Sequence, residues 1–138
     1  MSRVIKLESA GKDRTQLSKH ILLAIRELGG SSQDPAKSRD LVAYMVLALE
    51  QIAQTIDASV AAWEKRGYWV KADKFRMEWL WAGQYADKMK VALLTGDWGT
   101  VALVMTQTAQ KLVKVQVPAG HRLGKPWVGA FQQLTRPQ

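Results

Sequence analysis

The side chains that usually carry catalysis or bind metals are few in this sequence of 138 residues. There is no Cys, which excludes thiolate nucleophiles, zinc ribbons, iron–sulfur sites and disulfide frameworks. The two His residues are His20 and His121, and the residues three positions before them are Leu17 and Pro118. A di-iron bundle needs Glu-x-x-His pairs, and a three-His zinc centre needs one more His. We therefore expect no metal, no cofactor and no catalytic residues of these kinds.

Arg14 and His20 combine a phosphate-binding cation with a group that titrates near neutral pH. Their six-residue spacing on an amphipathic stretch resembles the Arg-to-His spacing of HEPN-type helical ribonucleases, in which the pair acts on phosphodiester bonds. The resemblance implies a helical ribonuclease that depends on these two residues. The alternative is a solvated Arg and a half-buried His, because a six-residue offset separates the two side chains around a helix.

Aromatic residues are concentrated between positions 63 and 81 in a chain that holds six Trp. The interaction anchors predicted from this cluster are Trp63, Tyr68, Trp69 and Trp81. Large aromatic side chains anchor many protein interfaces, although the same rings could instead complete a local core. Trp79 and Trp81 lie about 200° apart around a helix, so we expect one of them to point away from the protein's own core.

The chain is basic, with a formal net charge of +8 from 20 Lys and Arg against 12 Asp and Glu. Residues 98–138 hold five basic groups and no carboxylate, which favours anionic partners such as nucleic acid, lipid head groups or an acidic protein surface. The anion-binding set predicted here is Lys111, Lys114, Arg122 and Lys125. Basic residues also interleave with the aromatic cluster, as in single-strand binders, although Glu64, Asp73 and Glu78 dilute the positive field.

Four helices are predicted from apolar residues that recur at three- and four-residue steps. The first covers about 14–28, with Asp13 as its cap, and the second runs from Asp34-Pro35 to Gly67. The third covers about 72–95, and the fourth follows Asp97 and continues to about 115. Segments 4–7 and 113–117 alternate like strands, and each is equally consistent with a helix end or an extended arm.

The unequal lengths of these helices bear on how they pack. The second and third reach about 45 and 38 Å, whereas the first and fourth reach only about 23 and 28 Å. Either the short helices are offset toward opposite ends, or part of the long hairpin takes its cover from a second subunit, and we favour a homodimer. The predicted fold is an all-α, antiparallel up-and-down four-helix bundle over residues 1–117. An irregular basic arm over 118–138 belongs to the same domain, with a short helical turn near 128–134 and a path over the surface.

The longest apolar run covers residues 41–49, well short of the roughly 20 residues of a membrane span, and the N-terminus lacks a secretion signal. We expect a cytoplasmic protein without a membrane span. The expected function is a non-enzymatic helical interaction module that homo-oligomerises and presents an aromatic and basic surface to a partner. Nucleic-acid binding is the main alternative, and the ribonuclease that depends on Arg14 and His20 is a remote one.

Overall fold

The structure is a computed structural model that describes residues 9–30 and 33–136, and over these ranges it is all-helical, with no strand. Its five helices are α1 (Ala10–Gly29), α2 (Pro35–Lys65), α3 (Trp69–Thr95), α4 (Trp98–Lys111) and α5 (Ala130–Thr135). The prediction of an all-α fold is confirmed. The strand-like segment 113–117 forms a turn followed by irregular backbone, and segment 4–7 lies outside the described residues.

Three of the helix ends are fixed by local side-chain and backbone chemistry. Asp34 directly precedes Pro35, the first residue of α2, and its carboxylate accepts a hydrogen bond from the backbone N–H of Lys37 at 3.2 Å. The Asp97 carboxylate caps α4 in the same way, at 3.1 Å from the backbone nitrogen of Thr100. Helix α3 ends at Thr95, and the next residue, Gly96, has a left-handed φ of +74°, a conformation that costs glycine little. These signals are readable in the sequence.

The first helix starts earlier than its sequence signals indicate. α1 begins at Ala10, so Asp13 lies inside the first turn, and the residue before the helix, Ser9, makes no side-chain cap. The predicted cap at Asp13 is therefore wrong. Ala10 is buried with 1% of its surface exposed, and this packing favours the additional turn. Asp13 still stabilises the helix start, because a negative charge in the first turn opposes the positive end of the helix dipole.

The centre of the fold is α2, which packs against α1, α3 and α5, while α3 also packs against α4. Glu64 pairs with Arg76, and Ala53 lies beside Gly83, so positions rise along α3 as they fall along α2. The two long helices therefore form an antiparallel hairpin. Its inner face is fully buried along most of α2, through Leu41, Met45, Leu49 and Ile52.

The C-terminal segment is attached to the start of α2 rather than lying loosely over the surface. Trp127 is buried with 9% of its surface exposed, and the ammonium of Lys37 lies 5.2 Å from its ring centroid. The Asp40 carboxylate accepts hydrogen bonds from the backbone N–H groups of Gly129 and Phe131, at 3.1 and 2.9 Å. The expectation of a surface path is therefore wrong at this segment, because its apolar side chains complete the core.

Helix α2 is long and apolar enough to cross a membrane by length and composition alone. However, 56% of its most apolar 18-residue window is buried inside the protein, as in the core helix of a globular domain. The length and composition of α2 are therefore only weak evidence for a membrane span.

Candidate functional site

The turn that joins α2 to α3 carries exposed apolar side chains, and we call residues 63–78 the hairpin tip. Tyr68, Trp69 and Val70 follow one another in sequence and are 56%, 62% and 72% exposed. The turn is shaped by Gly67, whose φ is +82°, and by a 2.9 Å hydrogen bond from the Tyr68 N–H to the Trp63 carbonyl. The exposed side chains are thus held on an ordered turn beside an open groove of about 760 Å³.

The other aromatic rings near the tip already have partners within the protein. Trp63 and Phe75 pack edge to face with centroids 4.9 Å apart, and the Lys71 ammonium lies 4.9 Å from the Trp63 centroid. The Arg14 guanidinium lies 4.9 Å from Phe75 and 5.6 Å from Trp79. Within the described ranges, Tyr68 and Trp69 have no such ring or cation partner, so their faces are open.

The three carboxylates that dilute the positive charge of the tip lie close to arginines. Arg76 forms 2.8 Å ion pairs with both Glu64 and Asp73. Glu78 attracts Arg14, which partly offsets the lowering of the Arg14 pKa by burial. The remaining four cations of the tip form no ion pair with any described residue: Lys65, Arg66, Lys71 and Lys74. The tip therefore presents uncompensated positive charge around its exposed aromatic residues.

Trp81 is a core residue, so it is not available as a surface anchor of the protomer. It is 8% exposed, and its ring stacks on that of Trp79 with centroids 5.6 Å apart and a 27° angle between planes. The expectation that one of these two rings points away from the core is wrong. Trp81 belongs to a buried cluster with Leu17 of α1 and Leu112 after α4, and the half-buried Trp79 packs against the same cluster.

Two of the four predicted anchors, Tyr68 and Trp69, are exposed in the structure. Trp63 is half-buried in the groove, and Trp81 is buried.

The four predicted anion-binding residues are all exposed: Lys111, Lys114, Arg122 and Lys125. The chain next to Lys125 packs against Lys37, at the start of α2, whereas the tip lies at its end. At 1.5 Å per residue this separation is about 40 Å, so Lys125 and the tip do not form one site.

A second candidate site is a polar cleft between α1, α2 and the C-terminal segment. His20 Nδ1 and the Tyr44 hydroxyl lie 3.2 Å apart in a hydrogen bond, at the edge of a cavity of about 370 Å³. Asp13, Gln51 and Gln133 also line this cavity. Burial lowers the pKa of His20, with a smaller contribution from the nearby charge of His121, and burial raises the pKa of Tyr44.

The ribonuclease alternative requires Arg14 and His20 to act on one substrate. In the structure, Arg14 packs on Phe75 and Trp79 of α3, whereas His20 bonds to Tyr44 of α2. The structure therefore does not bring the two side chains into a common site. The sequence does not predict the pairing of His20 with Tyr44, because the two residues lie on different helices and no local spacing connects them.

No metal centre can be assembled from the described residues, since no group of three His, Asp or Glu side chains lies close enough to hold an ion. Comparison with protein-family models, curated proteins and solved structures finds no match for this chain. The features from which a function can be inferred are therefore the hairpin tip, the polar cleft and the exposed faces of the helices.

Proposed function

We propose that this protein is a non-enzymatic helical interaction module that forms a homodimer and presents its hairpin tip to an anionic partner. The observation that carries the proposal is the run of exposed side chains from Tyr68 to Val70 on an ordered turn, surrounded by four cations that form no ion pair with a described residue. Contiguous exposed apolar side chains typically mark interaction sites, and basic groups select partners of opposite charge. The proposal includes an up-and-down arrangement of the four main helices.

Helix α3 supports the dimer because it is apolar on two faces. Its inner face packs into the core, but a second set of side chains points outward, and we call this set the outer stripe: Met77, Leu80, Val91 and Leu94. They are between 45% and 64% exposed. They recur at the three- and four-residue steps of a packed helix face, with polar Gln84 and Asp87 in the middle of the stripe. A helix with two apolar faces is stabilised by a neighbour on each.

The positive charge of the hairpin tip favours an antiparallel pairing of two copies along the outer stripe. In that arrangement Met77 lies opposite Leu94 of the partner subunit, and Leu80 lies opposite Val91 of the partner subunit. A parallel pairing would instead bring the two basic tips together, and like charges in an interface are costly. The proposed dimer therefore carries its tips at opposite ends.

Multi-angle light scattering on the full chain tests the dimer. We expect the mass of a dimer, and the mass of a monomer for the double variant Val91→Gln, Leu94→Gln, with an unchanged far-UV circular dichroism spectrum. A matched control is Leu103→Gln, since Leu103 is 57% exposed on α4, outside the outer stripe, and this variant should remain dimeric. A monomeric wild-type protein at high concentration, or a double variant that is still dimeric, contradicts the proposal.

Single-stranded nucleic acid is the second candidate partner of the tip. The specific observation in its favour is that Tyr68 and Trp69 have open ring faces next to unpaired Lys and Arg side chains, a combination that single-strand binders use. Such binding would weaken steeply with salt because phosphate contacts release counterions. Retention of a labelled oligonucleotide at low and high salt measures it directly.

A further inference from the structure

We infer that the hairpin tip binds the surface of an anionic lipid bilayer, inserting Tyr68, Trp69 and Val70 at the level of the head groups. The inference rests on the proposed function, because it names the anionic partner of the same tip. The four cations of the tip that form no ion pair with a described residue would contact lipid phosphates and carboxylates. The helices themselves stay outside the bilayer, so the protein binds peripherally.

The composition of the exposed set favours lipid over nucleic acid. Val70 is the most exposed large apolar residue of the tip, at 72%, and it lies outside the outer stripe. It has no ring face for a base to stack on, whereas it gains free energy when it leaves water for the acyl boundary. Three further rings that could have formed a stacking platform are already covered by cations or by each other: Trp63, Phe75 and Trp79.

The order of residues along the turn matches the layers of a membrane interface. Lys65 and Arg66 precede the apolar run, and Lys71 and Lys74 follow it in the first two turns of α3. Trp and Tyr are favoured at head-group depth, and long basic side chains place their charges among the phosphates while their stems cover apolar surface. The apolar run is thus flanked on both sides by cations suited to an anionic surface.

The exposed turn from Lys65 to Lys74 also lacks features that would direct it to the same turn of a second copy. Two such turns placed face to face would bring together eight cations that form no ion pair with a described residue, four from each copy: Lys65, Arg66, Lys71 and Lys74. An anionic bilayer compensates those charges, and each basic residue near such a surface strengthens binding by about fivefold. Charge complementarity therefore points to lipid as the occupant.

Sedimentation with vesicles tests the inference on the full-length protein. Vesicles of phosphatidylcholine are compared with vesicles that also contain about 30% phosphatidylserine, at low and physiological salt. We expect binding to the anionic vesicles only. Lys65→Gln with Lys74→Gln should weaken it by about 25-fold, as two independent fivefold losses. Trp69→Ala with Val70→Ala should weaken it by at least tenfold, while the control Leu103→Ala on α4 should bind normally.

The outcomes distinguish this inference from the proposed function. Absence of binding to anionic vesicles at low salt by a folded dimer overturns the lipid assignment and leaves the dimer intact. Binding that needs the lysines but not Trp69 and Val70 also overturns it, because the protein would then only adsorb by charge. Retention of single-stranded RNA that depends on Trp69, without vesicle binding, replaces lipid by nucleic acid. A monomer that binds neither ligand refutes both proposals.

Discussion

Replacing Trp81 and Trp69 separately by Ala tests the assignment of one ring to the core and the other to the tip. A buried Trp removes about 200 Å² from water, which corresponds to about 5 kcal/mol at about 25 cal/mol per Å². Because Trp81 is 8% exposed and stacks on Trp79, we expect Trp81→Ala to lower the free energy of unfolding by about 3–5 kcal/mol. Trp69 is 62% exposed, so Trp69→Ala should change it by no more than about 0.5 kcal/mol.

Urea denaturation followed by far-UV circular dichroism measures both changes without depending on Trp fluorescence. A domain of this size is stable by about 5–15 kcal/mol, so Trp81→Ala could leave too little native protein for a full baseline. Trp81→Phe covers that case, since it keeps an aromatic ring in the cluster and should cost less than Trp81→Ala. Equal losses for Trp69→Ala and Trp81→Ala, or a loss under about 1 kcal/mol for Trp81→Ala, would refute the burial argument.

Three smaller predictions concern helix interiors, caps and pH. Gly83→Ala should raise the free energy of unfolding by up to about 1 kcal/mol, since Gly83 is inside α3 and an added Cβ would meet Ala53 at an ordinary 3.8 Å. Asp34→Ala should lower it by about 1 kcal/mol, because it removes the cap of α2; chemical denaturation measures both changes. Burial lowers the pKa of His20 in the folded protein below its ordinary 6.5. As the pH falls below 6.5, His20 therefore takes up a proton in the unfolded chain before it does so in the folded protein. Stability should therefore decrease below about pH 6.5, and His20→Asn should remove part of that slope in pH-dependent melting curves.

Each of these predictions has an outcome that contradicts it. A destabilised Gly83→Ala protein would show that α2 and α3 lie closer together there than the 3.8 Å between the added Cβ and the Ala53 Cβ indicates. An Asp34→Asn variant is the control for the cap, because Asn is also a favourable cap residue and should retain most of the stability. A His20→Asn protein with the same pH dependence as the wild type would place the titrating group elsewhere.

The sequence predicts those parts of the fold that depend on local chemistry. Asp34 and Asp97 cap their helices, and Gly96 ends α3, because each of these signals acts within a few residues. The predicted start of α1 near residue 14 is too late, since the burial of Ala10 is a tertiary effect that no cap residue indicates. The docking of Trp127 on α2 is likewise a tertiary contact that no local signal predicts.

The sequence does not predict those features of the candidate sites in which a contact joins distant parts of the chain. The exposure of Tyr68 and Trp69 is predictable from their position at a turn, where little core is available. The burial of Trp81 is not, because periodicity shows which residues share a face, but not which faces of α3 have neighbours. The ion pair of Arg76 with Glu64 is another example, because Glu64 is twelve residues away along the chain and only the hairpin brings the two together.

The proposed dimer and the proposed lipid contact together make a prediction that neither makes alone. With the outer stripes antiparallel, the centre of the interface lies between positions 85 and 86, about 25 Å along α3 from Trp69, so the two tips are about 50 Å apart. One dimer can then contact two bilayers, and the wild-type protein should cluster anionic vesicles, which turbidity and dynamic light scattering detect. The monomeric variant Val91→Gln, Leu94→Gln keeps its tip, so it should bind vesicles without clustering them. Had the tips lain side by side, dimerisation would instead increase affinity for a single vesicle through the second contact, and no clustering would occur. Wild-type protein that binds without clustering, together with a large loss of affinity in the monomeric variant, would therefore indicate the parallel pairing and contradict the argument from the charges of the two tips.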